Sequence, residues 1–343
     1  MSLRSWVTVT TLILLGLVIV IGWPEILHAF DILDKVNIWI LLLIIPLQLL
    51  SYWAVGHVIF SYLRSKGDLK DSSSWTTLRM ALELNFVNHI LPSGGAAGFS
   101  YLGWVLSKHN VGSGRAAMAQ IVRYVIMFIS FVIILCVAVL ILTLDNHINR
   151  AILLVSGMMA VFAVLVTLFG MYVLGSRDRL TSFSKWFVAA VNKFVFRITR
   201  GKKKDVLKHE IVNKFFDDIH EDYNEIRRDG RLLKKPFLWS VISNITDALL
   251  LFVTFLALGV FVNPAILFVA FGVSGLSSII SVTPGGAGVY EAVMITFFVS
   301  SGMSLDLAIA GTILARVALL LGTIIFGYAF YQLTINKYGK KPV

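Results

Sequence analysis

Long apolar stretches joined by short polar connections dominate this chain. A helix crossing a bilayer core about 30 Å thick takes roughly 20 apolar residues. Six runs have that length: about 6–27, 37–62, 115–144, 150–174, 237–261 and 306–334. The first follows Arg4 like a secretion signal. It ends in Gly22-Trp23-Pro24-Glu25 without a small-x-small cleavage pattern, and more spans follow, so an uncleaved span is expected. Connecting charges orient the runs. The 28–36 connection carries Asp31, Asp34 and Lys35, whereas 63–80 carries Arg64, Lys66, Lys70 and Arg79. With a cationic 176–236 loop and Lys337, Lys340 and Lys341 at the end, the positive-inside rule places both termini in the cytoplasm of a cell-membrane protein.

Two further apolar stretches, 75–112 and 264–302, do not fit as simple spans. The first has to begin and end on the cytoplasmic side and the second on the outer side, or the flanking spans would be misoriented. Each is broken in its middle, by Leu91-Pro92-Ser93-Gly94-Gly95 and by Thr283-Pro284-Gly285-Gly286-Ala287-Gly288. Proline removes a helical hydrogen bond and glycine permits the turn. Each stretch therefore reads as a re-entrant hairpin, viable at membrane depth only when buried in protein or lining a wet cavity. Arg123 follows Gly95 by 28 residues and Arg316 follows Gly286 by 30. Span, hairpin and Arg-bearing span thus occur twice in opposite orientation, the inverted repeat found in many transporters. The expected fold is an all-α polytopic membrane protein in one domain. It has six transmembrane helices and two re-entrant hairpins, with repeats over 37–144 and 237–334.

Composition agrees: 57% of the 343 residues are hydrophobic and 14% charged, and mean hydropathy is +0.83. That leaves too little polar surface for a soluble domain. The net charge of +11 does not point to nucleic acid, because 16 of 30 Lys and Arg fall between Arg177 and Lys235, beside 9 acids. In that loop Leu180, Phe183, Phe187, Ala190, Phe194 and Ile198, and then Leu207, Ile211, Phe215, Ile219, Tyr223 and Ile226, recur at near-helical spacing. Two amphipathic helices on the cytoplasmic face are expected. The run Arg200-Gly201-Lys202-Lys203-Lys204 between them suits anionic lipid headgroups, or simply fixes topology. Cys136 is the one cysteine, so no intrachain disulfide can form.

The candidate chemistry gathers at the breaks. Helices restart at about Phe99 and Val289, turning free N–H groups and a positive dipole end toward the membrane midplane, an arrangement suited to an anion. The alternative is that the small residues serve close helix packing. At 1.5 Å per residue Arg123 lies about 12 Å, and Arg316 about 15 Å, into its span. A central arginine costs about 2.5–3.5 kcal/mol, so it needs a partner or must snorkel. Glu291, Asp247 and Glu83 are the available carboxylates. Gln48, Tyr52, His57, Asn85, Asn88 and His89 add polar groups at similar depth. No metal-ligand cluster, nucleotide loop, nucleophile elbow or dinucleotide fingerprint occurs, and His220-Glu221-Asp222 lacks the second histidine of a zincin. Neither a cofactor, a metal nor catalysis is expected.

Pro92-Ser93-Gly94-Gly95 and Pro284-Gly285-Gly286-Ala287-Gly288-Val289-Tyr290-Glu291, each followed by an Arg-bearing span, resemble the membrane domain of lysylphosphatidylglycerol synthase-type proteins. The resemblance covers nearly the whole chain. It implies a flippase-like lipid translocator and does not fix the lipid; the breaks and the two arginines point to an anionic-headgroup phospholipid, aminoacyl-phospholipid or polyprenyl-phosphate-linked lipid. With the chain stopping at Val343, a lipid translocator without the soluble synthase domain is expected. The headgroup site expected from the residues comprises Pro92, Ser93, Gly94, Gly95, Arg123, Pro284, Gly285, Gly286, Gly288, Tyr290, Glu291 and Arg316. Gln48, Glu83, Asn85, Asn88 and Asp247 would supply a polar cavity or charge partners. The rivals are a membrane enzyme or accessory subunit of lipid aminoacylation or glycosylation, working with a partner enzyme, and an ion-coupled small-solute transporter.

Overall fold

The computed structural model describes residues 34–70, 72–90, 96–144, 150–198, 209–280 and 286–339. The first predicted span, Pro92 to Gly95, Pro284, Gly285 and the run Arg200 to Lys204 lie outside these residues. The described chain is predominantly helical, with no strand among the described residues. Five helical segments are long and apolar enough to cross a membrane: Ile38–Ser65, Gly114–Thr143, Gly157–Leu174, Gly230–Ala257 and Leu305–Tyr338. They coincide with five of the six predicted runs.

In chain order the helices are α1 (Ile38–Leu41), α2 (Ile44–Ser65), α3 (Ser74–Ile90), α4 (Ala96–Ser107), α5 (Ser113–Leu144), α6 (Arg150–Leu174), α7 (Arg177–Ile198), α8 (His209–Arg228), α9 (Lys234–Ala257), α10 (Pro264–Ile280), α11 (Val289–Ser300) and α12 (Leu305–Tyr338). Local chemistry sets several of the ends. Asn37 accepts from the amides of Trp39 and Ile40 to start α1, and Asn263 accepts from Ala265 where Pro264 opens α10. Gly288 starts α11 with φ +88°, and its N–H donates to the Glu291 carboxylate at 2.6 Å, half of a capping box. The first hairpin resumes at Ala96 rather than near Phe99. Gly98 lets α4 close on α3 there, since a Cβ at that position would sit 2.0 Å from Asn88 Oδ1.

The element lengths repeat. Helices α2 to α5 have 22, 17, 12 and 32 residues, and α9 to α12 have 24, 17, 12 and 34. Their packing repeats as well. Helix α2 lies against α3 and α5 as α9 lies against α10 and α12, while α3 packs on α12 as α10 packs on α5. The two sets meet where α2 packs along α9, the most extensive helix contact in the described chain. That pair is antiparallel: Asn37 N–H reaches Ala257 O, Ser51 meets Asp247, and His57 lies against Trp239.

Each set has its own core. One surrounds Phe60, Tyr62, Leu63, Met80, Leu102 and Leu106; the other surrounds Phe255, Leu267, Phe268 and Phe298. Lipid is as apolar as these cores, so close packing rather than removal from water holds the helices together. The outward faces, above all α6 with Leu154, Met158, Phe162, Leu165 and Phe169, expose large apolar side chains that a lipid environment covers.

Helices α7 and α8 form where the 176–236 loop was expected to hold two amphipathic helices. They pack on each other through Phe183, Phe187 and Phe216, and Ser184 Oγ donates to Asn213 at 2.8 Å. Glu225 of α8 pairs with Lys66 just after α2, and Asp68 lies 3.7 Å from Arg115 at the start of α5. His109, in the α4–α5 connection, lies 6.1 Å from the Tyr338 ring at the end of α12. These contacts put the 66–73 and 108–112 connections, α8 and the end of α12 at one end of the molecule.

Candidate functional site

Between the two sets lies a cavity of about 570 Å³. Its walls come from both hairpins and from the long helices beside them. Asn85 and Asn88 approach from α3 and Gly286 and Tyr290 from the second break, while Arg123 and Arg316 enter from α5 and α12. Gln48, Ser51 and Tyr52 of α2 and Asn244 and Asp247 of α9 supply the facing wall. Phe128, Phe131, Leu251 and Phe271 make the remainder apolar.

The wall is cross-braced. Gln48 Nε2 donates to Leu319 O at 2.7 Å and to Tyr52 Oη at 2.8 Å, and Tyr52 bonds Thr323. Ser51 Oγ donates to Asp247 Oδ1 at 2.6 Å, and Asn244 Nδ2 to Ser130 Oγ at 2.7 Å. Such bonds hold helices together in lipid, where an unpaired polar group finds no water.

The two arginines differ. Arg316 Nε lies 2.8 Å from Glu291 Oε1, and its guanidinium carbon stands 4.9 Å from the centre of the Tyr290 ring. Arg123 is 6% exposed, and its guanidinium lies 4.3 Å from the Tyr124 ring. Among the described residues no carboxylate pairs with Arg123. Its Nε and the nearby Asn88 Oδ1 are buried without a hydrogen-bond partner. Tyr124 hydrogen-bonds the Arg123 guanidinium as well as lying against it, yet no carboxylate among the described residues neutralises the charge, and a bound anion would do so.

The predicted site residues divide accordingly. Gln48, Asn85, Asn88, Arg123, Asp247, Gly286, Tyr290 and Arg316 share the cavity. Glu291 stands behind it as the partner of Arg316, and Gly288 lies exposed at the helix start. Pro92, Ser93, Gly94, Gly95, Pro284 and Gly285 lie outside the described residues. Glu83 lies apart from the cavity as a charge partner of Arg79 (3.2 Å), buried against Thr334 (2.5 Å) and Tyr101 (3.0 Å) and tying α3, α4 and α12 together. Its place on α3 faces away from Asn85 and Asn88, a rotation that packing decides. His57 is held outside the cavity between Trp53 and Trp239, with Nδ1 2.9 Å from Trp53 O.

Sequence reasoning missed Tyr124, Asn244 and Thr323. Asn244 sits one helical turn before Asp247 and Thr323 two turns after Arg316, so helical spacing from residues already singled out finds both. Tyr124 lines the cavity beside Arg123 and is 48% exposed.

An all-helical, multi-pass membrane protein with a polar cavity between two similar helix sets is the class these features define. Residues 7–327 match the family described as the lysylphosphatidylglycerol synthase TM region, and the chain belongs to that family. It is also similar to a UPF0104 membrane protein of Pyrococcus horikoshii, 23% identical over 311 residues that cover 89% of this chain and 91% of the relative.

Proposed function

We propose that the protein moves an anionic-headgroup lipid between the leaflets of the cell membrane: a phospholipid, an aminoacyl-phospholipid or a polyprenyl-phosphate-linked lipid. Arg123 carries this reading. It is a buried cation in a cavity between the two hairpins, with no carboxylate partner among the described residues. A headgroup phosphate answers such a charge, and the hairpin helix starts add backbone donors. The family's name ties it to a phospholipid, which agrees.

In this reading α3–α4 and α10–α11 are re-entrant hairpins of inverted repeats, and rocking one repeat against the other alternates access to the cavity. The repeated helix lengths and the antiparallel α2–α9 pair support it. The cytoplasm lies at the end bearing α8 and the end of α12. Exposure of Tyr124 favours a lipid over a small solute, because acyl chains need a lateral opening and a solute does not. A translocator is also preferred to an enzyme. The cavity is lined by neither histidine nor cysteine among the described residues, and its Asp247 is engaged by Ser51.

The test is reconstitution into liposomes with labelled lipids. Arg123→Gln should slow transfer of an anionic lipid roughly 10- to 100-fold, as losing about 1.5–3 kcal/mol of charge-assisted hydrogen bonding would, with Arg123→Lys intermediate. Wild-type rates for every lipid in Arg123→Gln would remove the headgroup role. Product formed by the purified protein from an activated donor and lipid would favour the enzyme instead.

A further inference from the structure

We infer that α7 is an interfacial helix whose outer face docks on an anionic leaflet. The charges of the α7–α8 pair are divided unequally. Helix α7 carries five basic residues and one acid, whereas α8 carries six acids and three basic residues. The two are clamped together: Leu180, Ser184 and Val188 of α7 are buried, Ser184 bonds Asn213, and Arg177 pairs with Asp217 at 3.2 Å. The inner face of α7 is therefore already occupied. Its opposite face exposes Trp186 (63%) and Phe196 (41%) among the exposed cations Lys185, Lys193 and Arg197.

Large aromatic side chains interleaved with cations are what an amphipathic helix presents to headgroups and upper acyl chains. The position fits as well. Only Gly175 and Ser176 separate α7 from α6, whose exposed apolar side chains face lipid, and Arg179 stacks on Tyr172 at 3.8 Å across that junction. Helix α7 thus starts at the membrane surface. Acidic α8 is repelled by anionic headgroups, and it is held from the other side by the Glu225–Lys66 pair. Of the two helices only α7 has the charge to meet an anionic leaflet. Each cation near such a surface favours the docked state about fivefold. Lipid composition thereby acts on the connection between the two helix sets, at a place distinct from the cavity and independent of what the cavity binds.

The experiment uses the full chain in nanodiscs, in a Cys136→Ser background, with an environment-sensitive fluorophore on Trp186→Cys. In discs containing phosphatidylglycerol the label should emit at short wavelength and be quenched by lipid-chain quenchers. In phosphatidylcholine discs or at high salt it should emit as a solvent-exposed dye. Reversing Lys185, Lys193 and Arg197 to Glu should abolish the phosphatidylglycerol effect while the melting temperature in detergent stays at the parent value. Should those reversals unfold the protein, the salt response of the unreversed label decides the question. Emission that is solvent-like in both lipids overturns the proposal. So does shielding that is lost on dilution to the monomer, which would mean that a second copy covers this face. Arg123→Gln serves as the control: it should leave the fluorescence unchanged, separating this inference from the headgroup reading.

Discussion

Arg316 and Arg123 occupy corresponding places after the two helix pairs, yet among the described residues only Arg316 has a carboxylate beside it. Glu291 serves two groups at once, pairing with Arg316 at 2.8 Å and accepting the Gly288 N–H at 2.6 Å. Helix α4, the counterpart of α11, contains no acid at all. If the cavity holds a headgroup as proposed, one beside Arg316 would compete with Glu291, whereas one beside Arg123 would meet no such carboxylate among the described residues. Glu291→Gln keeps an acceptor for Gly288 but releases the charge of Arg316, so binding of an anionic lipid should tighten about tenfold, the effect of roughly 1.4 kcal/mol. Native mass spectrometry of the protein with phosphatidylglycerol measures this. An unchanged affinity would mean that Arg316 does not face the ligand. Glu291→Ala removes the cap as well and should melt earlier than Glu291→Gln, by about 0.5–1.5 kcal/mol of lost hydrogen bonding.

At the scale of elements, what the sequence reveals depends on how far a signal extends along the chain. The long spans are legible because some twenty apolar residues in a row have few alternatives, and the interrupted stretches are legible as apolar runs too short on either side of a break to span alone; the structure forms helix pairs α3–α4 and α10–α11 there. The rotation of each helix is not legible. Glu83, Asn85 and Asn88 lie within two turns of α3, yet packing against α12 turns the carboxylate away from the cavity that the two asparagines line. Contact surfaces are equally hidden, because a glycine in a membrane helix looks the same whether or not a neighbour touches it. Gly327 of α12 is touched: a Cβ there would stand 2.5 Å from Phe86 Cβ and 2.9 Å from Leu82 O, a backbone atom that cannot rotate aside. Gly103 of α4 has nothing within 4 Å. Gly327→Ala should therefore destabilise by about 1–3 kcal/mol through overpacking, while Gly103→Ala should be neutral or stabilising by up to about 1 kcal/mol of helix propensity. Thermal melts of the two variants in one detergent test the contrast, and equal melting temperatures would contradict the α3–α12 packing.

For the whole molecule, the antiparallel contact of α2 with α9 determines how everything else is arranged. If equivalent helices run in opposite directions, equivalent hairpins must open toward opposite ends. The Asp68–Arg115 contact closes the first hairpin at the end that carries α8 and Tyr338. The second hairpin leaves α9 after Ala257 and rejoins the chain at Leu305, the far end of both α9 and α12. On the proposed reading, the cavity between the two sets lies between two half-crossings, and a small tilt of one set against the other would change which end it faces. Sidedness turns this into a measurable pattern. In a Cys136→Ser background, single cysteines replacing Lys70 and Lys108 should both react with an impermeant thiol reagent from the cytoplasmic side only. Those replacing Phe261 and Ser304 should both react from the outside only. All four positions are exposed. A hairpin that crossed the membrane completely would place a break between its two arms, so that Pro92 and Pro284 marked loops in water. The positions 70 and 108, or 261 and 304, would still agree with each other, but cysteines at Asn88 and Tyr290 would label as readily as those four. Slow labelling at Asn88 and Tyr290, accelerated when the arginine beside the cavity is neutralised and the headgroup released, is the outcome that half-crossings around an anion site require.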